Sequence, residues 1–131
     1  MTVLTVRGRK IINCSLPRVA AVAAQQRFSS QPSELVVAPG SQAKLQCFVE
    51  NKAGECRWSL EGKPVGMFEG KYEMRGDREA GDCSLTVSSV DLKIDDGGWQ
   101  CQVTATNITS GDALVSQLAR LTVQGESGRR R

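Results

Sequence analysis

Histidine does not occur anywhere in the 131 residues. Its absence removes the commonest general base and the commonest neutral metal ligand, so neither a Ser-His-Asp nor a Cys-His site can be assembled from this chain. No run of about 18 uninterrupted apolar residues occurs either, so no segment of the sequence reads as a membrane-spanning helix. There is no internal repeat and no credible long helix. The basic patch or stripe that marks most nucleic-acid-binding domains is also missing. The formal charge of +3 hides this. Seven of the 17 basic residues sit at the ends: Arg7, Arg9, Lys10 and Arg18, then Arg129, Arg130 and Arg131. The remaining ten face all 14 acidic residues, so residues 26–128 carry a net −4. No nucleophile–base pair and no cluster of metal-ligating side chains is present, which argues against an enzyme, a metal site or a cofactor.

What is present fits one domain with one packed core. Residues 1–25 read as a secretory signal peptide or a disordered leader. Arg7-Gly8-Arg9-Lys10 is a basic start, Val19–Ala24 is a small apolar run, and Ala21-Val22-Ala23 offers a cleavage site. Pro17 and Arg18 interrupt the apolar part. Residues 125–131 contain only Gly, Ser, Glu and Arg and read as a disordered tail or the start of a linker. The domain itself is expected over 26–124.

Within it, short alternating runs are broken by turn residues every 8–12 positions, the rhythm of an all-β sandwich or barrel. Glu34–Val37 precedes the turn Ala38-Pro39-Gly40-Ser41. Ala43, Leu45, Cys47 and Val49 then alternate with Lys44, Gln46 and Phe48, a pattern that buries one side of a strand. Cys56, Trp58 and Leu60 form the next inward set, with Arg57 and Ser59 facing out. Glu61-Gly62-Lys63-Pro64 is expected to turn the chain, and Val65–Phe68 and Lys71–Arg75 to form short strands. Cys83, Leu85 and Val87 alternate again, as do Trp99, Cys101, Val103 and Ala105. A last strand is expected over about 114–123, with Ala119, Leu121 and Val123 inward.

Cys47 lies 11 residues before Trp58 and 54 before Cys101, and Cys101 closes the run Asp95-Asp96-Gly97-Gly98-Trp99-Gln100-Cys101. This constellation resembles the immunoglobulin superfamily, with Cys47 on strand B, Trp58 on strand C and Cys101 on strand F. The resemblance implies an immunoglobulin-like two-sheet antiparallel Greek-key sandwich with a Cys47–Cys101 disulfide between the sheets and Trp58 covering it. Leu85 belongs to the core of strand E. Trp99 stands where the family carries the tyrosine of its tyrosine corner; an indole keeps a donor but not the phenolic geometry, so the usual corner contact is not expected. In this fold Cys56 on strand C and Cys83 ahead of strand E face inward from opposite sheets, which predicts a second bridge, Cys56–Cys83. Two free buried thiols are the alternative. Cys14 is the odd fifth cysteine, and removal of the leader makes the count even.

The short interval from Trp58 to Leu85 suits an intermediate, I-set-like domain. Gln26-Arg27-Phe28, Gly40-Ser41, Tyr72, Gly81-Asp82 and Trp99-Gln100-Cys101-Gln102-Val103 further resemble the first domain of the nephrin and irregular-chiasm (Kirre/Roughest) adhesion molecules. That resemblance implies an extracellular or plasma-membrane ectodomain whose partner is another cell-surface immunoglobulin-superfamily protein. It also implies that the outward side of strands C, F and G does the binding. The candidate contact residues are Arg57, Ser59, Gln100, Gln102, Thr104, Leu118 and Arg120, extended at the edge by Met67 and Phe68. An ordinary solvated sheet surface is the bland alternative, and Met67 and Phe68 fit core or edge packing equally well. The competing function is a short soluble secreted protein that captures a diffusible or microbial ligand through its loops. Asn107-Ile108-Thr109 is an N-glycosylation sequon in the expected F–G turn. Arg75-Gly76-Asp77 spells a tripeptide that integrins read, but in a charged loop where a solvated turn is the simpler reading. Asp95 and Asp96 read as turn residues rather than an acid/base pair.

Overall fold

Alternation along the chain is realised as two facing sheets. The computed structural model describes residues 24–125, so the expected leader and tail fall almost wholly outside the described residues. One layer holds β1 (Arg27–Ser30) paired with β4 (Phe48–Glu50), and β3 (Ala43–Leu45), β8 (Leu85–Val87) and β7 (Tyr72–Glu73) in that spatial order. Its two parts are bridged where the Val49 amide donates to the Gly81 carbonyl at 2.9 Å and the Cys83 amide to the Cys47 carbonyl at 2.8 Å. The other layer runs β2 (Leu35–Val37), β11 (Ala119–Val123), β9 (Gly97–Val103), β5 (Cys56–Leu60), β6 (Lys63–Val65), with β10 (Leu114–Val115) also on β9. Every pairing is antiparallel except that of β2 with β11. The arrangement is the immunoglobulin-type sandwich.

The inward residues of both layers form one core: Ala43, Leu45, Cys47 and Val49 meet Trp58, Trp99, Cys101, Val103 and Leu121, all buried. Burying a Leu or Val side chain contributes roughly 2 kcal/mol, so this alternation is the main driving force for folding. Two disulfides cross the core, Cys47–Cys101 with Cα atoms 6.5 Å apart and Cys56–Cys83 with Cα atoms 5.9 Å apart. Trp58 lies opposite Cys101 in the β5–β9 ladder, and its indole N–H donates to the Cys83 carbonyl at 2.8 Å. The strand carrying Cys47 is interrupted at Gln46–Cys47. There the Ser84 hydroxyl takes the Cys47 amide at 3.1 Å, so the gap leaves no buried N–H unpaired.

The structure departs from the sequence expectations at several places. The strand expected over Val65–Phe68 does not form: β6 ends at Val65, and Phe68 makes only an isolated bridge to Tyr72. Lys63 and Pro64 belong to β6, not to the turn; Glu61 and Gly62 alone make it, with φ of 52° and 81°. Two consecutive positive φ values match the twist of a tight hairpin, and Pro64 is tolerated because β6 is an edge strand. The last strand is not continuous. It breaks at Ser116–Leu118, where the Ser116 hydroxyl accepts the Cys101 amide at 2.9 Å in place of a ladder carbonyl. Between β8 and β9 stands one turn of helix, α1 (Leu92–Asp95), with Asp91 as its N-cap accepting the Lys93 amide at 2.7 Å. Finally, the corner contact forms after all: the Trp99 indole N–H donates to the Asp95 carbonyl at 2.9 Å. The indole N–H meets the backbone four residues upstream, so a corner bond forms although the side chain is not a tyrosine.

Asp95 also gathers three donors on its fully buried carboxylate: the Lys71 ammonium at 2.6 Å, the Tyr72 hydroxyl at 2.5 Å and the Asp91 amide at 2.7 Å. Lys71 further donates to the Ser88 and Ser89 carbonyls. A buried charge is tolerable only when paired and hydrogen-bonded in this way. The Tyr72 ring meets Trp99 edge-on at 5.7 Å between centroids, so the network joins the two layers at this end of the sandwich.

Two outcomes follow. Replacing both Cys56 and Cys83 by Ala should lower the unfolding free energy in urea by about 3.5 kcal/mol, from the unfolded-chain entropy that a loop of this length restricts, and leave a folded domain. Non-reducing peptide maps should show the Cys56–Cys83 link in the parent chain. The second outcome concerns Tyr72, the one tyrosine of the sequence. Burial first, and then the hydrogen bond to Asp95, hold its phenol above the ordinary value of 10.0. The folded state therefore keeps a proton that the unfolded chain loses. Stability from this contact is complete below the ordinary tyrosine range and declines as pH rises towards the folded value. Phenolate absorbance should appear only together with alkaline unfolding; titration at the ordinary value in the folded protein would contradict the network.

Candidate protein-binding face

Register decides which side chains leave the sandwich together. Arg57 stands opposite Gln102, and Gln102 opposite Val115; Ser59 stands opposite Gln100; Arg120 stands opposite Gly98. Their chain neighbours Trp58, Cys101, Ala119 and Leu121 are buried, so the period of two turns this set outward. Arg57, Gln100, Gln102, Leu118 and Arg120 thus share one face. Leu118 and Val115 are its open apolar residues, at 64% and 61% exposure.

The face is held in shape from within. Gly98 carries no side chain, and a Cβ there would come within 2.9 Å of Leu118, so glycine at this point allows Leu118 to lie across the strand. The Gln100 amide donates to the Ser116 carbonyl at 3.0 Å, which fixes the side chain while its oxygen has no donor among the described residues. Arg120 bonds Asp96 at 2.5 Å and approaches Glu61 at 4.0 Å. Asp96 also accepts the Val123 amide, and Glu61 the Gly98 amide at 2.6 Å. Such exposed pairs contribute at most about 1 kcal/mol each to stability, and their effect here is to orient the guanidinium. Asp95 and Asp96, adjacent in the chain, bond different partners: Asp95 is buried with Lys71 and Tyr72, Asp96 lies beside Arg120.

Four of the expected contact residues are placed differently. Ser59 is in the outward register but only 3% exposed, and its hydroxyl has no partner among the described residues. Its partners on the two flanking strands are Pro64 and Gln100, and it is not open to solvent. Thr104 falls beyond β9, and its hydroxyl accepts the Glu55 amide at 2.8 Å. Met67 and Phe68 do not join the face. Phe68 is bridged to Tyr72, and Met67 lines a shallow hollow with Tyr72 and Met74, so both lie at the edge leading to the opposite layer. Val115, by contrast, was missed. Counting in twos back from Arg120 and Leu118 puts it inward, but the break at Ser116–Leu118 reverses the phase, as an irregularity in a strand does.

At the end of the face near Thr104, Gln26 is the organising residue and was quoted in the sequence only as part of a motif. It is 4% exposed. Its amide nitrogen donates to the Thr104 and Asp112 carbonyls at 3.0 and 3.1 Å, and its oxygen accepts the Ala53 and Gly54 amides, both at 2.8 Å. All four of its hydrogen-bonding positions are used. The Asp112 carboxylate accepts from Ser110 at 2.6 Å and from the amide and hydroxyl of Thr106 at 2.8 and 2.7 Å. These bonds, the Ser110 hydroxyl first, hold its pKa well below the usual carboxylate range. Asn107 is exposed at the tip of the same loop. The Asp77 carboxylate of the Arg75-Gly76-Asp77 run caps a short 3-10 turn by accepting the Glu79 and Ala80 amides.

The Immunoglobulin I-set domain family matches residues 26–123. Kin of IRRE-like protein 1 of Homo sapiens is 34% identical over 104 residues, 76% of this chain and 13% of the relative. The Irregular chiasm C-roughest protein of Drosophila melanogaster is 36% identical over 104 residues, 75% of this chain and 13% of the relative. The chain therefore spans a small part of the length of these relatives. The solved structure of Duf (Kirre) D1 superposes with a TM-score of 0.67 at 31% identity, covering 76% of this chain and 97% of that one. Fold, disulfide framework and these likenesses agree: the chain belongs to the immunoglobulin I-set domain family, and its domain is homologous to those of the Kirre/Roughest proteins.

Proposed function

We propose that this domain is an extracellular recognition module that mediates cell–cell adhesion by docking the outward face of β5, β9, β10 and β11 onto a related immunoglobulin-superfamily protein. The observation that carries this reading is the composition of the face. Two open apolar side chains, Val115 and Leu118, sit among the half-buried amides of Gln100 and Gln102 and a tethered Arg120. Apolar anchors ringed by neutral amides with free hydrogen-bonding capacity suit a moderately polar, reversible interface. A pair of inter-sheet disulfides supports an oxidising compartment, hence export. A patch of this kind gives weak binding per domain, and many copies at a cell contact supply avidity.

Fluorescent multimers of the chain, applied to cells displaying either the chain itself or Kin of IRRE-like protein 1, test the proposal. Binding to at least one of the two is expected. Val115→Asp and Leu118→Asp should each weaken it about tenfold or more, the cost of losing an anchor worth about 1.4 kcal/mol. Lys44→Glu, on an exposed position of the other layer, should leave it unchanged. Binding to neither cell, or binding lost in Lys44→Glu and intact in both face variants, would overturn it.

A further inference from the structure

Residues 104–113, between β9 and β10, form a loop whose base is fixed and whose tip is open. Asp112 and Gln26 hold the base. At the tip Asn107, Ile108 and Thr109 are all exposed, Ile108 completely so. A fully exposed isoleucine has no packing role in the domain. The Asn107 side-chain oxygen accepts the Thr109 amide at 3.0 Å and the Thr109 hydroxyl at 3.2 Å, while the Asn107 backbone amide donates to the Ser110 hydroxyl at 3.1 Å. The side-chain nitrogen, Nδ2, makes no hydrogen bond among the described residues. The turn thus engages every polar atom of the Asn107 side chain except the one that would react.

We propose that Asn107 is an N-glycosylation site. The co-substrate is a lipid-diphosphate-linked oligosaccharide, transferred by a secretory-pathway enzyme that reads Asn-x-Thr. Nδ2 forms a bond to the anomeric carbon of the first sugar. The bond from that carbon to the diphosphate oxygen breaks, the lipid diphosphate leaves with the electron pair, and Nδ2 gives up one proton to a base. No oxidant or reductant is involved. The site also has a geometric consequence. The loop continues beyond the Leu114–Val103 pair, whereas Arg120 pairs with Gly98 at the other end of β9. A glycan on Asn107 therefore bounds the binding face at one end and leaves Leu118 and Arg120 open at the other. The modification stands independently of the adhesion reading, and its test needs no partner.

The full chain, sent through the secretory pathway of eukaryotic cells behind an added signal sequence, can be reduced, alkylated and digested with trypsin to release the peptide that follows Lys93 and ends at Arg120. Mass spectrometry should find that peptide glycosylated, and enzymatic deglycosylation should convert Asn107 to Asp. Thr109→Ala should abolish the modification and Thr109→Ser retain it, with secretion and circular dichroism unchanged in both. An unmodified peptide from secreted, disulfide-bonded chain, or a glycan that persists on this peptide in Thr109→Ala, would overturn the assignment.

Discussion

The Cys47–Cys101 bridge, with Trp58 beside Cys101 across the β5–β9 ladder, is the constraint from which the rest of the domain follows. It sets the separation of the two layers and fixes which residues of β9 point inward. Once Cys101 faces the core, the period of two leaves Gln100 and Gln102 no choice but the outer face. The indole of Trp58 extends the same constraint sideways. Its N–H reaches the carbonyl of Cys83, the residue that anchors the second bridge to Cys56. The two links restrict the unfolded chain by about 4 and about 3.5 kcal/mol on the chain-entropy account, a large share of the stability of so small a domain.

Polar hubs close the two ends of the sandwich. At one end the Asp95 carboxylate collects Lys71, Tyr72 and the Asp91 amide, while its carbonyl takes the Trp99 indole. At the other the Gln26 side chain joins the first strand to the loops around Gly54 and Thr104. Both hubs are buried and use their bonding capacity, which is the condition under which buried polar groups specify one arrangement instead of destabilising it. They leave the middle of the outer face free of structural duty. Gln100 is tied to the Ser116 carbonyl and Leu118 lies across Gly98, while Val115 is open to solvent.

Legibility in the sequence divides along a physical line. Regular alternation showed the strands and the inward positions of Leu45, Trp58, Leu85 and Cys101, because burial of one side of a sheet leaves a period of two in the chain. Where the ladder is irregular, that period misleads. Ser116 replaces a backbone acceptor with its hydroxyl, the phase reverses, and Val115 emerges on the face. Ser59 follows the alternation correctly yet is buried between the two flanking strands, a fact of packing across strands that no single strand records. Lys71 and Gln26 were illegible for a related reason: each acts through partners far away in the chain, with Asp95 24 and Asp112 86 residues distant. The corner bond of Trp99 depended on the reach of an indole to Asp95, which residue type alone did not settle.

The central claim is that the outer side of β5, β9, β10 and β11 meets a partner while the two disulfides hold the layer behind it rigid. Amide hydrogen exchange measures this most directly, comparing the chain alone with the chain saturated by the partner domain it binds, its own second copy or Kin of IRRE-like protein 1. The account predicts added protection confined to Arg57, Gln100–Val103 and Val115–Arg120, with β3, β7 and β8 unchanged. Protection that appears instead on β3, β7 and β8, or only in the loop around Asp77, would contradict it.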